Sequence, residues 1–253
     1  KRPHVVASDT EGGVKEFALS AYWLQGVALK HLMQVIAEEG EARVVGGAVR
    51  NAIMGQPPGD IDIATDLTPD RVAVLGRRAG ISVHETGLDH GTLTMVSDGH
   101  PFEVTTLRED VSTDGRRATV RFTHDWGLDA SRRDFTINAL FVDGTGHGYD
   151  YVGGYADCLA HKVRFIGDPS DRILEDHLRM LRFFRMHAFY GEGPLDPAAL
   201  DAVRAHRDKL STLPAERIAH ELARLLKATG AADIVAIMVE DQLFEPMLGE
   251  PVS

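Results

Sequence analysis

The sequence predicts an α+β chain whose front part mixes strands and helices and whose back part is all helical. Three observations carry this. Helix and strand patterns alternate through the first half, no strand pattern follows Ile166, and Pro197, Pro214 and Gly230 then punctuate a series of helical runs. With 253 residues, 43% hydrophobic and 26% charged, the chain has the composition of a soluble globular protein and enough length for a sizeable core. A boundary is expected near residue 167, dividing a head over 1–166 from a helical part over 167–253.

In chain order, residues 20–39 read as an amphipathic helix closed by Gly40. A short strand over 42–45 runs into the pair Gly46-Gly47, and a brief helix follows through Ala48, Val49 and Arg50. A second strand covers 61–63. Thr68-Pro69-Asp70 offers an N-cap, a proline at N1 and an early acid, so a helix starts there. Residues 81–86 and 91–107 read as three strands, the last two joined by the Asp98-Gly99 turn. The polar stretch 109–131 carries Asp114-Gly115, has one strand-like run at 118–122, and is longer than an ordinary connection, which marks it as a candidate mobile element. Ser170-Asp171 caps an expected long helix reaching about Tyr190, and three further helices follow. The chain stops just after a helical stretch, so a partial, truncated last domain is expected.

Composition removes several classes of function. No run approaches the length of a membrane span, and the Lys1-Arg2-Pro3-His4 start lacks a signal-peptide core. The single cysteine, Cys158, excludes an internal disulfide and a multi-cysteine zinc site, which fits a cytoplasmic location. The net charge of −11 argues against a coat for non-specific nucleic-acid binding. The charge is uneven, however. Residues 228–253 hold five acids and no Lys or Arg, whereas Arg concentrates at 116–133 and 172–185.

Three blocks carry chemistry. In Gly46-Gly47-Ala48-Val49-Arg50, bare glycine backbone lets N–H groups approach an anion at a helix start, and Arg50 can hold a phosphate. Ten residues on, Asp60 and Asp62 are expected on one strand face, with Ile61 buried behind them. Two such carboxylates repel unless a cation lies between them, and Mg2+ suits carboxylate and phosphate oxygens. A solvated strand edge would show the same Asp-x-Asp; the preceding glycines and Arg50 make the site reading the better one. Glu103, in an alternating run, can face the same place as a third carboxylate. In the second block, 131–140, Arg133, Asp134 and Asn138 offer phosphate donors and ribose-sized hydrogen-bonding groups. In the third, 175–185, helical spacing puts Asp176, Arg179 and Arg182 on one face and Leu178, Leu181 and Phe184 toward the core. A carboxylate beside a guanidinium complements the amino donor and ring-nitrogen acceptor shared by cytosine and adenine, and mismatches guanine and uracil. Trp23, Trp126, Phe183 and Phe184 read as core, and Cys158 as a small buried hydrophobe.

Taken in order, these blocks, with 150–157 and the 215–226 segment, resemble the class II tRNA nucleotidyltransferases (CCA-adding enzymes) and the related bacterial poly(A) polymerases over roughly residues 43–227. The resemblance implies a polymerase-β-like head with a mixed sheet, a helical neck and part of a body domain. It implies Mg2+ on Asp60 and Asp62 with Glu103 as third carboxylate, and triphosphate binding at Gly46, Gly47, Arg50 and Arg133 with Asp134 and Asn138 alongside. It implies base selection by Asp176 and Arg179, supported by Arg182 and Arg185. The implied partners are the tRNA 3′ acceptor end with CTP and ATP as substrates, and no membrane. Segment 109–131 would be the flexible loop used in switching from C to A addition. Poly(A) polymerase and A-only addition are the alternatives within the family; a non-catalytic RNA- or nucleotide-binding module is disfavoured because the metal carboxylates are kept. Two residues depart from the pattern: Asn51, where many relatives carry Asp, and Cys158, where Leu is frequent.

Overall fold

The computed structural model describes residues 8–9, 13–88, 91–114 and 117–248. The chain forms two compact units, one of residues 1–112 with 119–159 and one of 113–118 with 160–253. Residues 160–166 fall in the second of these units.

The first unit is built on a nine-stranded sheet. Its strands are β1 (Ser8–Asp9), β2 (Lys15–Ala18), β3 (Ala42–Val45), β4 (Asp62–Thr65), β5 (Ser82–Gly87), β6 (Thr92–Ser97), β7 (His100–Thr106), β10 (Leu140–Val142) and β11 (His147–Asp150). Two more, β8 (Arg108–Asp114) and β9 (Arg117–Phe122), form a separate ribbon. The order across the large sheet is β1-β2-β11-β10-β3-β4-β7-β6-β5, and β4–β7 is the parallel pair in an otherwise antiparallel arrangement. The sheet is therefore mixed, as expected. The central strands are apolar where they are covered: Val44, Val45, Ile63, Val104, Leu140, Phe141 and Val142 are all buried. The β6–β7 turn has left-handed backbone at Asp98 (φ 47°) and Gly99 (φ 78°), the hairpin geometry this dipeptide favours.

Helices α1 (Val27–Ile36) and α3 (Pro69–Arg78) pack on each other and on this sheet, while α2 (Gly47–Ile53) packs on β3, β10 and α5 (Gly154–Leu159). The single helix expected over 20–39 is instead a 3-10 turn, Tyr22–Gln25, followed by α1. Gly26 separates them with extended backbone at φ −61° and ψ 131°, a break the amphipathic pattern passes over. The stretch 109–131, read with one strand-like run at 118–122, holds further regular structure beside that run. It contributes most of β8 and all of β9, and then α4 (Trp126–Ser131); residues 115–116, which include the Gly115 of the sequence reading, lie outside the described residues. Asp125 caps α4 by accepting the Gly127 and Leu128 N–H groups.

From residue 160 onward the regular elements of the second unit, among its described residues, are helices: α6 (Pro169–Glu175), α7 (Arg179–Tyr190), α8 (Pro197–His206), α9 (Ala215–Leu225), α10 (Ala231–Glu240) and the short α11 (Glu245–Leu248). Phe165 stacks on Phe183, which touches Phe184, and α7 packs against α9 and α10. The long helix expected to Tyr190 is broken. Asp168 caps α6 with Pro169 at N1, and Asp176 is extended (φ −151°, ψ 107°). The Asp176 carboxylate accepts the Leu178 N–H at 3.1 Å, a local bond that competes with continued helix. Asp176 and Arg179 therefore flank a helix break and do not share one helical face.

Candidate active site

In the first unit β3 leads directly into Gly46. Its φ of 77° and ψ of −122° lie where a side chain is strained. The turn is fixed on both sides: Gly46 N–H donates to the Leu140 carbonyl at 3.1 Å, and Arg50 N–H donates to the Gly46 carbonyl at 3.0 Å. Gly47 starts α2, and a Cβ there would stand 3.6 Å from Nη2 of Arg50, so this backbone lies beside the guanidinium. Arg50 is buried. Its Nη1 donates to Oδ1 of Asn138, and its Nε and Nη2 donate to Oδ1 of Asn51 at 3.1 and 2.9 Å. Asn138 in turn donates from Nδ2 to Asp134 at 3.0 Å, and the same Asp134 oxygen accepts the Phe135 N–H. A neutral amide thus relays between a buried guanidinium and a buried carboxylate, and the first two sequence blocks become one network.

The carboxylates assemble differently from the expectation. Asp62 opens β4, but Asp60 lies on an exposed bend before it, and Ile61 is part-exposed instead of buried. Strand alternation therefore does not set Asp60 beside Asp62; the preceding loop does. Glu103 is where alternation put it, because the parallel register pairs Asp62 with Glu103 and gives their side chains one face. The Asp62 carboxyl is pushed above the ordinary carboxylate range, first by burial, then by the charges of Glu103 and Asp60, with Arg133 opposing. Such a group is relieved by a proton or a cation. Among the described residues no three ligating side chains close around one point. A cation here would complete its shell from outside the protein, as Mg2+ commonly does with water and substrate phosphates.

Arg133 is aimed by Asp129, a residue the sequence reading did not single out. Asp129 is 1% exposed and accepts from Arg132 Nε at 2.8 Å and from Arg133 Nη2 at 2.9 Å. Burial raises its pKa, but Arg133 and Arg132 outweigh that and hold it below the usual range. The same carboxylate accepts the Arg108 N–H at 3.3 Å, where β8 starts. Its signal was present as i, i+3 and i, i+4 spacing to the arginine pair.

In the helical unit, the Asp176 carboxylate accepts from Arg217 Nη2 at 3.0 and 3.3 Å. Arg179 donates to Glu175 and to the Arg172 carbonyl, and Glu175 also accepts from Arg172. Arg182 lies part-exposed one turn along α7. Arg185 is buried, and its Nε donates to Glu221 at 2.6 Å, inside the α7–α9 packing. Its guanidinium is thus taken up by packing, on the same helix α9 that carries Arg217, the donor to Asp176. Arg217 lies 41 residues from Asp176, so only tertiary structure joins them. Cys158 is buried, and burial lifts its thiol to about 12, in keeping with a small buried hydrophobe.

Residues 42–164 match the family model described as the poly A polymerase head domain, and residues 194–252 match the probable RNA and SrmB-binding site of polymerase A. The chain is 41% identical over 232 residues to the mitochondrial CCA tRNA nucleotidyltransferase 1 of Homo sapiens, covering 89% of this chain and 52% of that protein. It is 35% identical over 221 residues to the CCA-adding enzyme of Bacillus subtilis (strain 168), covering 86% of this chain and 54% of that protein. The crystal structure of the Bacillus stearothermophilus CCA-adding enzyme in complex with CTP superposes with a TM-score of 0.78 at 30% identity, over 87% of this chain and 53% of that one. The chain thus spans about half the length of these relatives. On its fold, its ordered blocks and these likenesses, the chain belongs to the family of class II CCA-adding enzymes and poly(A) polymerases.

Proposed function

We propose that this chain carries the catalytic part of a template-independent tRNA nucleotidyltransferase that adds CCA to tRNA 3′ ends from CTP and ATP, releasing pyrophosphate. The observation that carries the reading is the pairing of Asp62 with Glu103 beside Asp60, in the same unit as the Gly46–Arg50 turn. Asp60 and Asp62 would hold Mg2+, whose charge, when bound, offsets that of the carboxylates and of the triphosphate. Gly46 and Gly47 leave room for phosphate beside Arg50, and Asp129 aims Arg133 with the same task. Asp134 and Asn138 hold Arg50 in place. The 3′-hydroxyl oxygen attacks the α-phosphorus, a new O–P bond forms, the bond to the bridging oxygen breaks as pyrophosphate leaves, and the hydroxyl proton passes to water. Asp176 and Arg179 select the base by their paired acceptor and donor, with Arg182 beside them and Arg185 supporting them through α9. We read 1–166 as the head and 167–253 as neck with part of a body domain. We read the setting as cytoplasmic, although the vertebrate relatives bear mitochondrial names. Among the described residues no helix is long and apolar enough to cross a membrane.

The test is extension of a tRNA lacking its CCA end, resolved to single nucleotides, with Mg2+ and CTP, ATP or both. Addition of C, C and A followed by arrest supports the reading. A long A ladder from ATP alone would replace it with poly(A) synthesis. No extension, or extension that survives Asp62→Ala, would refute it.

A further inference from the structure

Residues 54–60 connect α2 to the bend that carries Asp60. Residues 55–57, 59 and 60 are exposed, Gly55 and Gly59 have φ of 72° and 69°, and a Cβ on either glycine would meet nothing within 4 Å. The loop therefore has little packing of its own to fix its path. Met54 and Gly55 N–H donate to the Arg50 and Ala52 carbonyls at 3.0 and 3.2 Å, and the next two residues are held by Asn51. The Asn51 carbonyl accepts the Gln56 N–H at 2.7 Å, and the Asn51 side-chain Nδ2 donates to the Pro57 carbonyl at 2.7 Å. The other end of the same amide, Oδ1, is the atom that receives Nε and Nη2 of Arg50.

We propose that Asn51 is a positioning residue that ties Arg50 to the loop delivering Asp60, so that one amide sets the phosphate-binding and metal-binding groups of the head at a fixed spacing. The inference rests on the roles given to Arg50 and Asp60 above. In this chain, unlike the many relatives with Asp at this position, the arrangement uses both ends of an amide. One atom must accept from a guanidinium and its neighbour must donate to a carbonyl, and a carboxylate of the same shape has no donor. Aspartate would set an oxygen against the Pro57 carbonyl and release the loop. It would also form a full ion pair with Arg50 and weaken the pull of Arg50 on an anionic ligand.

The experiment uses the full chain with Asn51→Ala and Asn51→Asp, and Mn2+ as a spectroscopic stand-in for Mg2+. Free Mn2+ is titrated by electron paramagnetic resonance without nucleotide, with Asp62→Ala confirming that the bound ion occupies this site. KM and kcat for CTP incorporation and thermal midpoints are measured alongside. Losing the loop anchor should weaken Mn2+ binding about fivefold in Asn51→Ala, the equivalent of about 1 kcal/mol for one hydrogen bond. KM for CTP should rise by a similar factor while kcat and the melting midpoint hold. Asn51→Asp, which keeps an acceptor for Arg50, should fail to restore Mn2+ affinity despite its added negative charge. Wild-type Mn2+ affinity in Asn51→Ala, or restoration in Asn51→Asp, would overturn the proposal. If Asn51→Ala does not fold, the Asn51→Asp titration decides alone. A wild-type chain that adds no nucleotide but loses Mn2+ affinity on Asn51→Ala would uphold this coupling and refute the reaction.

Discussion

Removing Glu221 leaves the Arg185 guanidinium buried without its carboxylate, and this separates a structural arginine from a nucleotide ligand. The two side chains are 7% and 5% exposed and meet at 2.6 Å, so neither charge has solvent to fall back on. Breaking such a pair from one side costs about 3–5 kcal/mol. For a chain of this length each kcal/mol moves the melting midpoint by about 2–4 °C, so Glu221→Ala should lower it by about 6–20 °C. Replacing both partners with apolar residues of similar volume, Arg185→Met with Glu221→Leu, removes the unpaired charge and should recover most of that loss. The assay is thermal melting followed by circular dichroism, with CTP binding measured on the double variant. A midpoint change below about 2 °C for Glu221→Ala would refute a desolvated pair, since that is the shift expected from about 1 kcal/mol or less. Recovery of the midpoint in the double variant with loss of CTP binding would show Arg185 acting on the nucleotide directly.

Other consequences follow from the head. Asp62→Asn should abolish nucleotide addition yet raise stability at neutral pH in the presence of a chelator. Because the folded carboxyl titrates above its unfolded value, the native state holds the extra proton, and wild-type stability falls as pH rises from the unfolded value through the folded one. Urea midpoints at mildly acidic and neutral pH check this, and a variant no more stable than wild type at neutral pH would contradict it. Gly46→Ala should cost about 1–3 kcal/mol, because the strain is torsional. A Cβ there finds its nearest neighbour, the Asn138 carbonyl oxygen, at an ordinary 3.6 Å. Urea unfolding measures the loss, and a negligible one would show that the turn relaxes. Asp129→Ala should destabilise by about 3–5 kcal/mol, since it leaves Arg132 and Arg133 without a shared buried carboxylate. It should also raise KM for CTP and ATP alike, and an unchanged KM would remove Arg133 from the triphosphate site.

The sequence by itself determined the elements whose signals are local. Thr68-Pro69 started α3, Asp98-Gly99 turned β6 into β7, Pro197, Pro214 and Gly230 marked the starts of α8, α9 and α10, and alternation aimed Glu103 at the face of Asp62. The ordered blocks around Gly46, Asp62, Asp134 and Asp176 were legible because their chemistry needs fixed residue types at short spacing. Where a single residue overrode a periodic pattern, the reading failed. Gly26 cut the first helix, and Asp176 broke the helix expected to reach Tyr190 by accepting the Leu178 N–H. The stretch 109–131 showed one strand-like run, at 118–122, because its two strands form a ribbon apart from the large sheet and leave a weak apolar signal. What remained for the tertiary structure was partnership. Arg185 reads the same in sequence whether it faces a ligand or Glu221, and nothing near Asp176 announces Arg217. Burial and the partner across space decide what a charge does, and both arise only when helices distant in the chain pack side by side.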